Sequence, residues 1–177
     1  MASFTDRMIG AARLDPATYE EVEADTTAMG QAIGVVLLSS VAAGIGTIRV
    51  GGMGLVIGGL VLALIGWVVW ALMTYVIGTK ILPEPQTKSD LNEILRTTAF
   101  AQAPGILRVA GIIPFLGVLI NFLIAVWMLV AMVVAVRQAL DYTSTLRAVG
   151  VCIIGWLVYM LILIVLTPFF MTRAMMM

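Results

Sequence analysis

The chain contains no histidine, so it lacks the commonest protein ligand for haem, zinc and copper and the usual general base near neutral pH. Redox and hydrolytic metalloenzyme chemistry lose their ordinary apparatus, and neither cofactor nor metal is expected. The single cysteine, Cys152, stands in an apolar run; it can close no internal disulfide and reads as a small packed or lipid-facing side chain. Charge is scarce as well, at 11% of residues, with ten cations balancing ten anions. No basic stripe with interleaved aromatics is present, which sets nucleic acid aside as a partner. Phosphate loops, metal-ligand spacings and internal repeats are missing. Residues 1–13 hold no apolar core of signal-peptide length, so the chain reads as inserted by its own first span.

What the sequence has instead is apolar residues, 62% of the chain, against roughly 45–50% in a soluble domain. It is therefore read as an integral membrane protein whose first partner is the lipid bilayer. The apolar runs predict an all-α bundle of five transmembrane helices, at about 26–48, 54–79, 91–112, 115–136 and 148–170, each long enough for a hydrocarbon core of ~30 Å. Residues 1–25 form a cytoplasmic N-terminal helical segment, amphipathic and then acidic, and residues 26–177 a single membrane domain.

Within the N-terminal segment, Phe4, Met8, Ala11 and Ala12 fall on one helical face, with Asp6, Arg7 and Arg13 largely elsewhere. Such a helix fits the headgroup layer; the alternative is a frayed polar leader. Asp15-Pro16 starts a second helix, with the acids Glu20, Glu21, Glu23 and Asp25 in its turns, and this helix is expected to run straight into the first span. Gly30 with Gly34, and Gly54 with Gly58, form small-xxx-small pairs that mark helix packing. A tight turn is expected at Arg49-Val50-Gly51-Gly52, and a polar loop over 80–89, where Pro83 and Pro85 stop either helix.

The third apolar segment is interrupted. Asp90 and Glu93 form a capping box at its start, but Pro104 has no N–H for the carbonyl four residues back, and Gly105 loosens the backbone behind it. The helix kinks or breaks at Pro104 and Gly105, as a span or as a re-entrant hairpin. A broken helix frees carbonyls for a ligand, as in transporters, or else is a packing kink satisfied by a neighbour. Gln102 and Asn121 suit interhelical hydrogen bonds. Arg108, near the outer surface, can snorkel.

Cations follow the positive-inside rule seven to three whether the third segment spans or re-enters. Five spans also put all ten acids on the inner side, with the N-terminus in the cytoplasm and the C-terminus opposite. The inner mouth should then gather a polar network of Glu20, Glu21, Glu23, Asp25, Arg96, Arg137, Asp141 and Arg147. Arg137, one turn from Asp141, is its expected hub.

The stretches LDPATYEEVEAD, AFAQAPGILRV, IPFLG, VWMLVAMVVAVRQALD and TLRAVG, spread over Leu14 to Trp156, resemble the YIP domain family of Ypt-interacting multi-span membrane proteins, in its short prokaryotic form. The resemblance implies five spans and a non-enzymatic membrane scaffold or accessory subunit. The acidic-Gly-Pro signature of the family's trafficking members has no counterpart before the first span, so recruitment of small GTPases is not among its implications. Association would be lateral, as a homo- or hetero-oligomer with other membrane proteins. The rival reading is a small transporter or channel using the broken third helix, although no central charged residue with a partner is present to couple an ion.

Overall fold

The computed structural model describes residues 2–113 and 116–175, with no side chains described at 47–57, 163 and 165–175. The described residues are mostly helical: α1 (Phe4–Ala12), α2 (Pro16–Ala24), a 3-10 turn (Thr26–Ala28), α3 (Met29–Val76) with a π turn behind it (Ile77–Ile81), α4 (Leu91–Phe100), a 3-10 segment (Ala103–Ile112), α5 (Gly117–Ala139) and α6 (Thr145–Met175).

The N-terminal segment is two capped helices. Ser3 and Asp6 close a capping box on α1, and Asp15, with Pro16 behind it, caps α2. Phe4, Met8, Ala11 and Ala12 do share a face, but it packs on the protein core instead of lying against lipid. Nor does α2 continue into the first span. Asp25 leaves the helical region at φ −83° and ψ 96°, its side chain accepts from the Thr27 N–H, and a single 3-10 turn leads to α3.

By its backbone hydrogen bonds α3 is one element of 48 residues, yet it cannot be straight. A straight helix would hold Met29 and Trp67 about 57 Å apart. Trp67 instead donates its indole N–H to the Leu95 carbonyl at 3.1 Å, while the next residue, Arg96, reaches the carbonyls of Val22 and Glu23 just before Met29. The chain reverses between its two membrane-length portions, Thr26–Gly46 and Gly58–Ile81. The side chains of the expected turn, Arg49 to Gly52, lie outside those described.

Among the described residues four helical stretches, not five, are long and apolar enough to cross a membrane: the two portions of α3, then Gly117–Ala139 and Thr145–Ile162. The expected third span, 91–112, is the correction. Its α-helix has the capping box of Asp90 and Glu93 but ends at Phe100 after 10 residues, a rise of about 15 Å, half a hydrocarbon core. Pro104 cannot donate to an α-helical carbonyl, and the chain continues in the tighter 3-10 form. The interruption is thus a change of helix type and not a kink in a span.

Segment 91–112 nevertheless runs the length of the first portion of α3. Arg96 lies at its start, a Cβ on Gly105 would strike the Ser39 hydroxyl, and one on Gly46 would strike the Arg108 carbonyl. The segment therefore links two ends of the bundle. One, here the charged end, gathers the end of α2, the start of α4, loop 82–90 and the α5–α6 turn. At the far end Gly46, Gly111 and Gly117 meet.

The core is built from small side chains that let backbones approach. Ala32, Val35 and Val36 of α3 meet Ala99 and Phe100 of α4 and Ala131 of α5. A second cluster joins Ala71 of α3 and Ile77 just beyond it to Ala139 of α5, to Leu140 at its C-cap, and to Ala148 and Val151 of α6. Large apolar side chains such as Leu62, Val118, Phe122 and Leu129 point outward, as the lipid-facing surface of a membrane bundle requires.

Candidate functional site: the charged end of the bundle

Arg7 of α1 is the most enclosed charge, at 2% exposure. One terminal nitrogen donates to Asp25 Oδ2 at 2.6 Å and to Glu21 Oε1 at 3.1 Å; the other donates to Gln31 Oε1 at 3.0 Å. Burial works against its charge, but the hydrogen bonds and charges of Asp25 and Glu21 outweigh it and raise its pKa. In return, the Asp25 carboxyl is pulled down to about 2, first by the Thr27 hydroxyl, then by Arg7 and the Thr27 N–H. Glu21 is lowered chiefly by the backbone N–H of Ala2 and then by Arg7. This clamp ties α1, α2 and α3 together.

Arg96, also buried, bonds no carboxylate. Its Nε donates to the Val22 carbonyl at 3.1 Å and a terminal nitrogen donates to the Glu23 carbonyl. These are carbonyls of the last turn of α2, which have no partners inside the helix and lie at its negative pole. The carboxyl of Glu23 has no hydrogen bond among the described residues. Burial, and then the charges of Asp141, Glu93 and Glu20, push it up to about 7.

A second clamp forms on Glu84, buried between Pro83 and Pro85. It accepts from the Thr143 N–H at 3.0 Å, the Thr143 hydroxyl at 2.7 Å and the Ser144 N–H at 3.3 Å, and Arg147 Nε stands 3.6 Å away. The Thr143 N–H and hydroxyl, as the largest causes, hold its carboxyl down at about 2. Arg147 also donates to the Pro83 carbonyl at 2.7 Å. The buried Tyr142 hydroxyl lies 2.9 and 2.7 Å from the carbonyls of Gly78 and Leu82. The clamp fastens the end of α3 to the α5–α6 turn.

Of the eight residues expected to form one network, Glu21 and Asp25 share a partner, and that partner is Arg7. Glu20 accepts from the Gln138 amide at 2.7 Å. Arg137 donates to the carbonyls of Tyr142 and Thr143 at 3.2 and 3.4 Å and meets no acid. Asp141 takes the left-handed conformation at φ 52°, and its carbonyl accepts from Gln86 at 3.0 Å. The expectation overlooked Arg7 and Glu84. Arg7 is three residues after Phe4 and four before Ala11, so helical spacing sets it inside the apolar face. Glu84 is the sole carboxylate of a loop fixed by prolines.

Among the packing glycines, Gly34 is in ordinary contact distance of Phe4, Gly30 and Gly58 meet none of the described residues where a Cβ would stand, and the surroundings of Gly54 lie outside those described. The tight positions are instead Gly10, Gly46, Gly78, Gly105, Gly111 and Gly117, against Thr18, Arg108, Leu140, Ser39, Asn121 and Gly111 respectively. Pro104 and Gly105 are buried, so the break is a packed junction. Asn121 bonds within its own helix, to the Gly117 carbonyl at 2.9 Å, and not between helices. No group of histidine, cysteine, aspartate or glutamate suited to a metal ion occurs among the described residues.

Four apolar helices of spanning length, closed at one end by charge clamps, define a multi-span helical membrane protein. The family model described as Yip1 domain matches residues 15–167, most of the chain, and the chain belongs to the Yip1 family. It is accordingly a non-enzymatic membrane protein of the scaffold or accessory type. No curated protein and no solved structure matches it.

Proposed function

We propose that this Yip1-family chain acts by lateral association in the bilayer, with itself or with other membrane proteins. The observation that carries this is the state of Gly30 and Gly58, which are exposed on α3 and have nothing among the described residues within 4 Å of where a side chain would begin. A neighbouring helix can bring its backbone close there and gain dispersion contacts that lipid does not supply. Gly34, beside Phe4, borders the same face. The broken segment gives the transporter reading little support, because Ser39 and Met128 fill the space around Gly105. Gly30→Leu and Gly58→Leu, purified in mild detergent, should lower oligomer or partner yield and leave the melting temperature of the single chain unchanged. Unaltered oligomer yield in both variants would sink the reading.

The charged end carries Lys80, Lys88, Arg96, Arg137 and Arg147, which supports its facing the cytoplasm. The N-terminal helices stay with it. α6 begins there and leads away, which supports a C-terminus on the opposite side. Reporter fusions at residues 142 and 177 should read inside and outside; a cytoplasmic signal at 177 would contradict this orientation.

A further inference from the structure

Arg108 sits on the 3-10 segment at the far end of the bundle, beside Gly46, where the first spanning portion stops. It is partly buried, and its guanidinium has no hydrogen-bond or ion-pair partner among the described residues. Its neighbours Leu107 and Val109, together with Ile112 and Ile113, are apolar and exposed. An arginine in that setting presents five donors and a full charge with little water to meet them, a costly arrangement unless an acceptor arrives.

No side chain of the protein supplies that acceptor as an anion. No aspartate or glutamate occurs in 26–83, 94–140 or 142–177. Every side-chain carboxylate precedes the first span or lies in loop 82–90, the start of α4 or the α5–α6 turn, toward the charged end. Four other arginines are matched within the protein: Arg7 has Asp25 and Glu21, Arg147 has Glu84, and Arg96 and Arg137 have carbonyls, while Arg13 is exposed to solvent. At the level of Gly46, where a spanning helix ends, the available anion is the phosphate of a membrane lipid. A guanidinium fork matches a phosphate with two parallel hydrogen bonds, which an ammonium cannot do.

We propose that Arg108 binds the phosphate of a phospholipid headgroup at the far surface, with the exposed Leu107, Val109, Ile112 and Ile113 as the apolar seat for the chains of the same lipid. The site holds one lipid against the junction of α3, the 3-10 segment and α5, independently of which protein the bundle associates with.

The full chain, delipidated in a phosphate-free maltoside detergent, would be titrated with phosphatidylglycerol, phosphatidylcholine, a monogalactosyl diacylglycerol or inorganic phosphate. Bound lipid is counted by native mass spectrometry and the melting temperature followed in parallel. Either phospholipid should bind and raise the melting temperature, whereas the galactolipid, with the same tails and no phosphate, should not. Arg108→Gln should bind phospholipid about tenfold more weakly, the loss expected for one charge-assisted hydrogen-bonded contact. Arg108→Lys, which keeps the charge, should fall between. Equal binding by wild type and Arg108→Gln, or an equal response to galactolipid, would overturn the proposal. A shift produced by inorganic phosphate alone would overturn the lipid as its source. Should Arg108→Gln fail to purify, the phospholipid and galactolipid titrations of the wild type decide the matter alone.

Discussion

At the charged end, contacts between segments are made by long polar side chains: Arg7 reaches across to α2 and α3, Arg96 to the last turn of α2, and Glu84 to the α5–α6 turn. At the far end they are made by absence of side chain, with Gly46 against the Arg108 carbonyl and Gly117 against the Gly111 carbonyl. The first kind of contact is specific in direction and depends on protonation. The second depends on volume alone and is indifferent to pH. A membrane bundle has reason to use both, since water can solvate unpaired charges at a polar mouth during assembly but cannot do so among lipid tails.

The largest effect that separates the two ends is expected at Arg7. Removing it leaves Asp25 and Glu21 without their cation, facing a space the guanidinium filled. Arg7→Ala should therefore lower the melting temperature in detergent more than any other single arginine change. An effect no larger than that of Arg137→Ala would remove the clamp from the account. Next come the glycines of close approach. Gly46→Leu and Gly105→Leu insert a side chain against a backbone carbonyl and a packed serine, and overpacking of this kind costs about 1–3 kcal/mol; their losses should be the same at pH 5 and pH 8.

That independence of pH is the sharpest contrast with Glu23. Its carboxyl sits at about 7 in the fold against an ordinary 4.5, so the folded chain holds this proton more tightly than the unfolded chain. Its ionisation therefore destabilises progressively as pH rises from about 4.5 to 7, and the cost is fully present above 7. Glu23→Gln should melt higher than wild type at pH 8 and alike at pH 4. Asp25 and Glu84 act with the opposite sign: their carboxyls lie near 2, so what they contribute is present above pH 4 and lost as pH falls toward 2. Melting curves from pH 2 to 8 for wild type and Glu23→Gln check both signs together.

Smaller still should be Arg137→Ala. It removes two hydrogen bonds of 3.2 and 3.4 Å to carbonyls of the neighbouring turn, about 1 kcal/mol. Its loss should not change with salt, because no carboxylate is its partner. Leu62→Ala, on the lipid face, should leave the stability within about 0.5 kcal/mol of wild type.

Much of the fold could be read from residues whose effect is local. Asp15-Pro16 and Asp90 with Glu93 announced their helix starts because caps need only a few neighbouring residues, and the long apolar runs announced four spans because length and hydropathy need no partner. The third segment misled because its apolar count resembles a span, whereas Pro104 removes an α-helical donor and the 3-10 segment that follows packs closely, with Ser39 and Met128 around Gly105. The clamps were less legible. Arg137 and Asp141 have helical spacing, but the helix ends between them and Asp141 turns left-handed, so the i, i+4 rule has no helix to act on. Arg7 could have been found from its place between Phe4 and Ala11. What could not be found was that α1 folds back onto α3, since nothing local in residues 4–12 distinguishes a protein surface from a lipid one.

Whether the N-terminal helices are locked onto the bundle is therefore the central claim, and hydrogen exchange of the full chain in phospholipid nanodiscs tests it most directly. With Arg7 bound to Asp25 and Glu21, and Phe4 and Tyr19 seated in the core, amides of α1 and α2 should be protected about as well as those of α4. Arg7→Ala should speed exchange in both helices while leaving α5 and α6 unchanged. Exchange of residues 4–24 at the rate of an unstructured peptide in the wild type would contradict the account.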